Sequence, residues 1–229
     1  MDTTEKNIYE ADKFISLHRH ISPVQITDDS SVNALLDPLE SAFKRFYGAD
    51  PYARTYADIY FVFSKWMRSK TVYRLQPDHI KKMKAASDTK PDISLLQNFN
   101  KKSFYLPLDE KRFNSAFVYL EIRGNDVDVF VTDFNTSNTG GIFGTTGALT
   151  IYAGESVQDA ATRWTTEVDR SKDRKNQAKV ICQMFSLIIN AAMYISANPE
   201  RITEEKVPKG KRLKSKSGKI INVKYFDVV

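Results

Sequence analysis

A chain of 229 residues with 41% hydrophobic and 12% aromatic residues can bury a sizeable core, which excludes wholesale disorder. Its single cysteine, Cys182, excludes an intrachain disulfide framework and a cysteine-based zinc site, and it fits a reducing compartment, the cytoplasm. The net charge of +6 is concentrated at one end: residues 206–229 hold seven Lys and one Arg against one Asp, so the other 205 residues carry a net −1.

The chain opens with "MDTTEKNIYEADKF", polar and acidic, without the apolar centre of a signal peptide. In "SSVNALLDPLESAFKRFYG", Ser30 or Ser31 can cap a helix. Val32, Leu35, Leu36, Leu39, Ala42, Phe43 and Phe46 recur at helical spacing, and Gly48 stops it. "PYARTYADIYFVFSKWMRSKTV" predicts a second helix over 51–72, with Pro51 in the first turn and Tyr52, Tyr56, Tyr60, Phe63 and Met67 along one stripe. Two shorter helices follow, "PDHIKKMKAAS" and "DISLLQNF".

The period then changes. "SAFVYLEIRGNDVDVFVTDF" alternates around Gly124-Asn125, a two-residue hairpin signal, and "ALTIYAG" reads as a third strand. In "ESVQDAATRWTTEV", Ser156 and Asp159 form a capping pair before an apolar stripe. "VICQMFSLIINAAMYI" (180–195) contains Gln183, Ser186 and Asn190 and falls short of the ~20 residues that span a bilayer, so it reads as a buried core helix with no membrane role. In the basic tail, "KSKSGK" is turn-rich and "IINVKYFDVV" alternates, which predicts a hairpin. Its second strand pairs with a sheet, and its lysines deter pairing at an exposed edge. The expected class is α+β: a helical N-terminal half (5–100) packed on a mostly antiparallel sheet, with sheet and helices over 103–197. The long helix is buried near the C-terminus. Residues 1–205 form one domain, and a closing basic hairpin over 206–229 completes the sheet.

Catalytic signatures are absent. His18, His20 and His79 form no helical ligand pair, Cys182 sits on the most hydrophobic helix without a polar activator, and no GxSxG elbow occurs. The stretch "NTSNTGGIFGTTGA" fails as a phosphate loop because Gly144 is followed by Thr145-Thr146 and no Lys. It reads as a long loop, with Phe143 a candidate protein anchor. The hairpin register sets Glu121 opposite Asp128 on one face, where like charges destabilise. A cation must relieve them. A divalent ion or a basic partner segment would do so, but a salt bridge from Arg123 or another chain cation is the favoured reading. A metal nuclease built on Glu121, Asp128 and Asp133 is the weakest alternative, since Asp133 falls on the other face. The stripe from Tyr52 to Tyr60, with Lys65, Arg68 and Lys70 nearby, could stack bases, but helical spacing favours core. Lys209, Lys211, Arg212, Lys214 and Lys216 are the candidates for contacting RNA or DNA phosphates. No cofactor or metal is expected.

The order of features carries a resemblance. "WMRSKTVYRLQPDHIKKM" follows an aromatic helix. "AFVYLEI" opens a hairpin, "ESVQDAATRW" a capped helix, "LIINAAMYISANPERI" closes the apolar helix, and "VKYFDVV" closes the chain. Over residues 50–229 this resembles a family of phage and mobile-element proteins that includes a type V-A anti-CRISPR protein. The matching positions are Trp66, Val72, Tyr73, Arg74, Leu75, Pro77, Tyr194, Tyr225, Phe226, Asp227 and Val228. The resemblance implies binding rather than catalysis. The characterised member is understood to recognise the nascent N-terminal segment of a CRISPR nuclease during translation, with loss of the nuclease mRNA. A protein partner, ribosome-associated and with RNA close by, is therefore expected in the cytoplasm of a bacterial host. Tyr73, Arg74, Glu121, Asp128 and Phe143 are the expected contacts, with an acidic sheet face able to accept a basic peptide.

Overall fold

The computed structural model describes residues 2–21, 25–27, 31–48, 52–108, 115–134, 144–168, 174–206, 212–215 and 217–229. Three helices come first. In α1 (Thr3–His18), the Asp2 carboxylate accepts from the Glu5 N–H (2.8 Å) and Glu5 accepts from the Asp2 N–H (3.1 Å), a reciprocal cap. α2 (Val32–Tyr47) buries Leu35, Leu36, Leu39, Ala42 and Phe43 as its spacing predicts, and ends at Gly48 with φ +77°. Phe46 departs from that stripe. It lies in the last turn, meets the His20 ring edge-on (5.4 Å) and is 54% exposed. α3 (Ala53–Ser69) buries Tyr60, Phe63 and Trp66, while Tyr52, one residue before it, stays exposed.

The expected end of α3 is corrected. Lys70 takes a left-handed φ of +48° and its N–H caps the Trp66 carbonyl (2.7 Å), so the helix stops before residue 71. Residues 71 and 72 belong to β1 (Thr71–Leu75). The β-branched and aromatic side chains favour extension, and Pro77 holds Gln76 extended (ψ 146°).

The other strands are β2 (Ser103–Pro107), β3 (Ser115–Arg123), β4 (Asp126–Phe134), β5 (Gly144–Ile151), β6 (Ile202–Glu205) and β7 (Lys224–Val228). They form one sheet in the order β5-β4-β3-β2-β1-β7-β6. β1 runs parallel to β2 and β7, and every other pairing is antiparallel. The class is α+β with a mostly antiparallel sheet. The β3–β4 register is the expected one, with Glu121 opposite Asp128 and Tyr119 opposite Phe130 around a positive-φ Gly124.

Helices cover both faces. α1, α2 and α3 pack on Val72, Tyr105, Phe117, Tyr119 and Tyr225. On the opposite face, α4 (Pro77–Ala85), α5 (Ile93–Asn98), α6 (Val157–Val168) and α7 (Arg174–Ala197) pack on Phe104, Val118, Leu120, Val129 and Leu149. β2 is buried on both sides, so its "SFYLP" lacks the polar alternation that would mark it in a sequence. The expected cap of α6 is present: Ser156 Oγ accepts from the Asp159 N–H (3.1 Å), and Asp159 accepts from the Ser156 N–H (3.2 Å). Residues Lys179–Ala197 are long and apolar enough to cross a membrane, and half of that stretch is buried inside the protein.

The described part of the C-terminal hairpin closes across residues 213–221. Lys214 bridges Ile220, while Leu213 and Ile221 sink into the core beneath α1 and α3. β7 does pair with the sheet, but its antiparallel neighbour is β6, with exposed Glu204 and Glu205. The edge expected to carry lysines is therefore acidic.

His18 ties the helical layer together. Its Nδ1 lies 2.7 Å from the Phe14 carbonyl and its Nε2 2.6 Å from the Tyr47 hydroxyl. The carbonyl can only accept, so Nδ1–H donates, and in the neutral ring that burial favours Nε2 accepts from the Tyr47 hydroxyl. Burial pushes the imidazole pKa below its ordinary 6.5. A depressed folded-state value means stability is fully present above pH 6.5 and is lost as the pH falls below it. Thermal unfolding at pH 7.5 and 5.5 should show a loss at the lower pH that shrinks in His18→Asn.

Candidate functional site

The opposed acids Glu121 and Asp128 are neutralised within the chain. Arg123 grips both oxygens of Asp128 through Nε (2.5 Å) and Nη2 (3.0 Å), and Thr150 donates to Oδ1 (2.6 Å). Glu121 turns away and accepts from the Val32 N–H (3.2 Å) at the start of α2, where the Ser31 side chain makes no cap. Asp128 is 5% exposed, so the open acidic face expected for a basic peptide is not presented there. Among the described residues no group of three His, Cys, Asp or Glu could hold a metal ion.

The positions of the family resemblance come together. "VYRL" is β1 and "KYFDV" is β7, and they pair in parallel with Val72 opposite Tyr225, Tyr73 opposite Phe226 and Arg74 opposite Asp227. The Tyr194 hydroxyl, at the end of α7, donates to the Val229 carbonyl (3.0 Å). Trp66 Nε1–H donates to the Thr71 carbonyl (2.9 Å) at the start of β1. Tyr73 faces the core among Phe99, Phe104 and Phe226, and burial pushes its phenol up to about 12. It supports the sheet and is not available as a contact. Arg74 faces the other way, lies over the Tyr225 ring (4.5 Å) and pairs with Glu205 and more loosely with Asp227 (3.8 Å).

An open groove of about 700 Å³ lies between α1, α3 and the turn at 215–221. Ile15, Ile26, Met67 and Ile220 give it an apolar lining, and Arg19, Lys70 and Lys219 line it with positive charge. Asp12 also lines it, 9% exposed, and burial raises its carboxyl pKa against the pull of Lys70 and Lys219. Among the described residues Asp12 has no hydrogen-bond or ion-pair partner.

The crystal structure of AcrVA2 shares 13% identity with this chain, covering 98% of it and 79% of the AcrVA2 chain, with a TM-score of 0.48, a distant likeness. No protein-family model matches the chain, and no curated protein does.

Of the expected site residues that are described, Arg212 and Lys214 do not line the groove. Phe143, Lys209, Lys211 and Lys216 lie outside the described residues. Arg212 and Lys214 are exposed on the hairpin. Cys182 is buried, its thiol pKa raised by burial, which suits a core residue. His79 packs at a tilt against the Tyr194 ring (5.2 Å), and His18 serves the α1–α2 contact. Sequence reasoning missed Asp12, and it set Lys65 beside the aromatic stripe without its burial. Lys65 is 3% exposed, donates to the Thr27 carbonyl (2.9 Å) and sits over the Tyr119 ring (4.7 Å), an arrangement that helical spacing alone does not disclose.

Proposed function

We propose that this chain is an anti-CRISPR-like protein that works by binding a segment of a type V CRISPR nuclease. In this reading the segment is the nascent N-terminal peptide, binding lowers the nuclease mRNA, and the chain performs no chemistry itself. One observation carries the reading. The phrases of the resemblance, some 150 residues apart, meet as neighbouring parallel strands in register, with Tyr194 of a third phrase bonded to their end.

Affinity capture from a bacterial lysate carrying a type V-A locus tests the partner class. Half of each sample is treated with RNase before washing. The expected result is nuclease or ribosome retained after RNase. Loss of all bound protein with the RNA would instead favour a nucleic-acid grip through exposed residues such as Arg212 and Lys214.

A further inference from the structure

We propose that the groove between α1, α3 and the 215–221 turn docks an acidic polypeptide segment bearing aliphatic side chains. The proposal rests on the reading of the chain as a protein-binding module and adds the chemistry of what this site accepts.

Charge complementarity selects the occupant. Among the described residues, three cations, Arg19, Lys70 and Lys219, line the groove against one carboxylate, Asp12. A basic segment would meet like charge, whereas glutamates or aspartates along a segment would find partners on both walls. The apolar lining selects further. Ile15, Ile26 and Met67 offer a floor, and Ile220, 44% exposed, stands at the rim as an anchor for an aliphatic side chain. A single-stranded nucleic acid would satisfy the cations but leave that floor without use. The groove's aromatic residue, Tyr60, is 6% exposed and offers no ring face for base stacking.

The backbone that carries Lys70 and Lys219 is held before any ligand arrives. In the turn that carries Lys219, the Ser215 N–H donates to the Lys219 carbonyl (2.7 Å), and the Gly218 N–H donates to the Ser215 carbonyl (2.9 Å). The Lys219 N–H donates to Ser215 Oγ (3.0 Å). Gly218 has φ +79°, a conformation that a side chain would strain. Across the groove, the Lys70 backbone is fixed from two sides. Its N–H caps Trp66, and its carbonyl accepts from the Lys224 N–H (2.9 Å) as β7 begins. Lysine occupies a left-handed position there that glycine or asparagine takes at lower cost. Backbone held this way loses little freedom on binding.

Fluorescence anisotropy with the full chain tests the proposal. The probes are a short labelled peptide in which glutamates flank two leucines, its counterpart with every glutamate replaced by lysine, and an oligouridylate of the same length. The acidic peptide is expected to bind and the lysine counterpart not to. Arg19→Glu combined with Lys219→Glu should weaken acidic-peptide binding by about tenfold or more, and Ile220→Asp should weaken it independently. All three side chains are exposed, so circular dichroism should show these variants folded. Equal binding by the charge-reversed variant, preference for the lysine peptide or oligouridylate, or no binding of the acidic peptide overturns the proposal. None of these outcomes bears on the RNase-resistant capture of a nuclease, which judges the protein-binding reading separately.

Discussion

Trp66→Ala should lower the stability of the protein by about 3–5 kcal/mol, the cost of emptying a fully buried aromatic site. Trp66 has no exposed surface, packs edge-on to Phe117 (5.1 Å) and leads the largest buried side chains. Its indole N–H donates to the Thr71 carbonyl, so it also fixes the change from helix to strand at residues 69–71. Trp66→Phe keeps most of the volume and should cost less, because only the hydrogen bond and part of the ring are lost. Urea unfolding of the two variants checks the order. Equal losses would mean that the polar contact, not the packing, holds the switch from α3 to β1.

Arg123→Ala should destabilise the protein by about 1–3 kcal/mol, because it leaves the Asp128 carboxylate buried with Thr150 as its remaining partner. Adding Asp128→Asn in the same chain should recover part of that loss, since no charge is then left stranded. Glu121→Gln should matter little, because an amide oxygen can still accept from the Val32 N–H. A double-mutant cycle over Arg123 and Asp128 measures the coupling. A neutral Arg123→Ala would mean that another cation neutralises the acid pair.

The hairpin at Gly124-Asn125 was legible down to its register, because a glycine-led turn flanked by alternating residues leaves little freedom in pairing. The capping of α6 and the long apolar helix were equally plain, since each depends on neighbours in sequence. β1 was not legible. Its residues continue an aromatic helical stripe, and the left-handed Lys70 that breaks the stripe is a residue with no local reason to do so. β6 and the acidic edge were missed because four residues carry no usable period. Of the candidate contacts, the Glu121–Asp128 opposition was read from the register, but its relief by the α2 N-terminus depends on tertiary placement. The groove is drawn from α1, α3 and a turn some 200 residues later, so its three cations share no sequence neighbourhood.

The most direct test of the central claim is interference itself. Bacteria carrying a type V-A nuclease and a matching guide are challenged with a targeted plasmid, with and without this chain expressed. Nuclease mRNA and protein are measured in the same cultures. The expected result is survival of the plasmid together with reduced nuclease mRNA. Undiminished plasmid loss in cells that hold the folded protein would contradict an anti-CRISPR role.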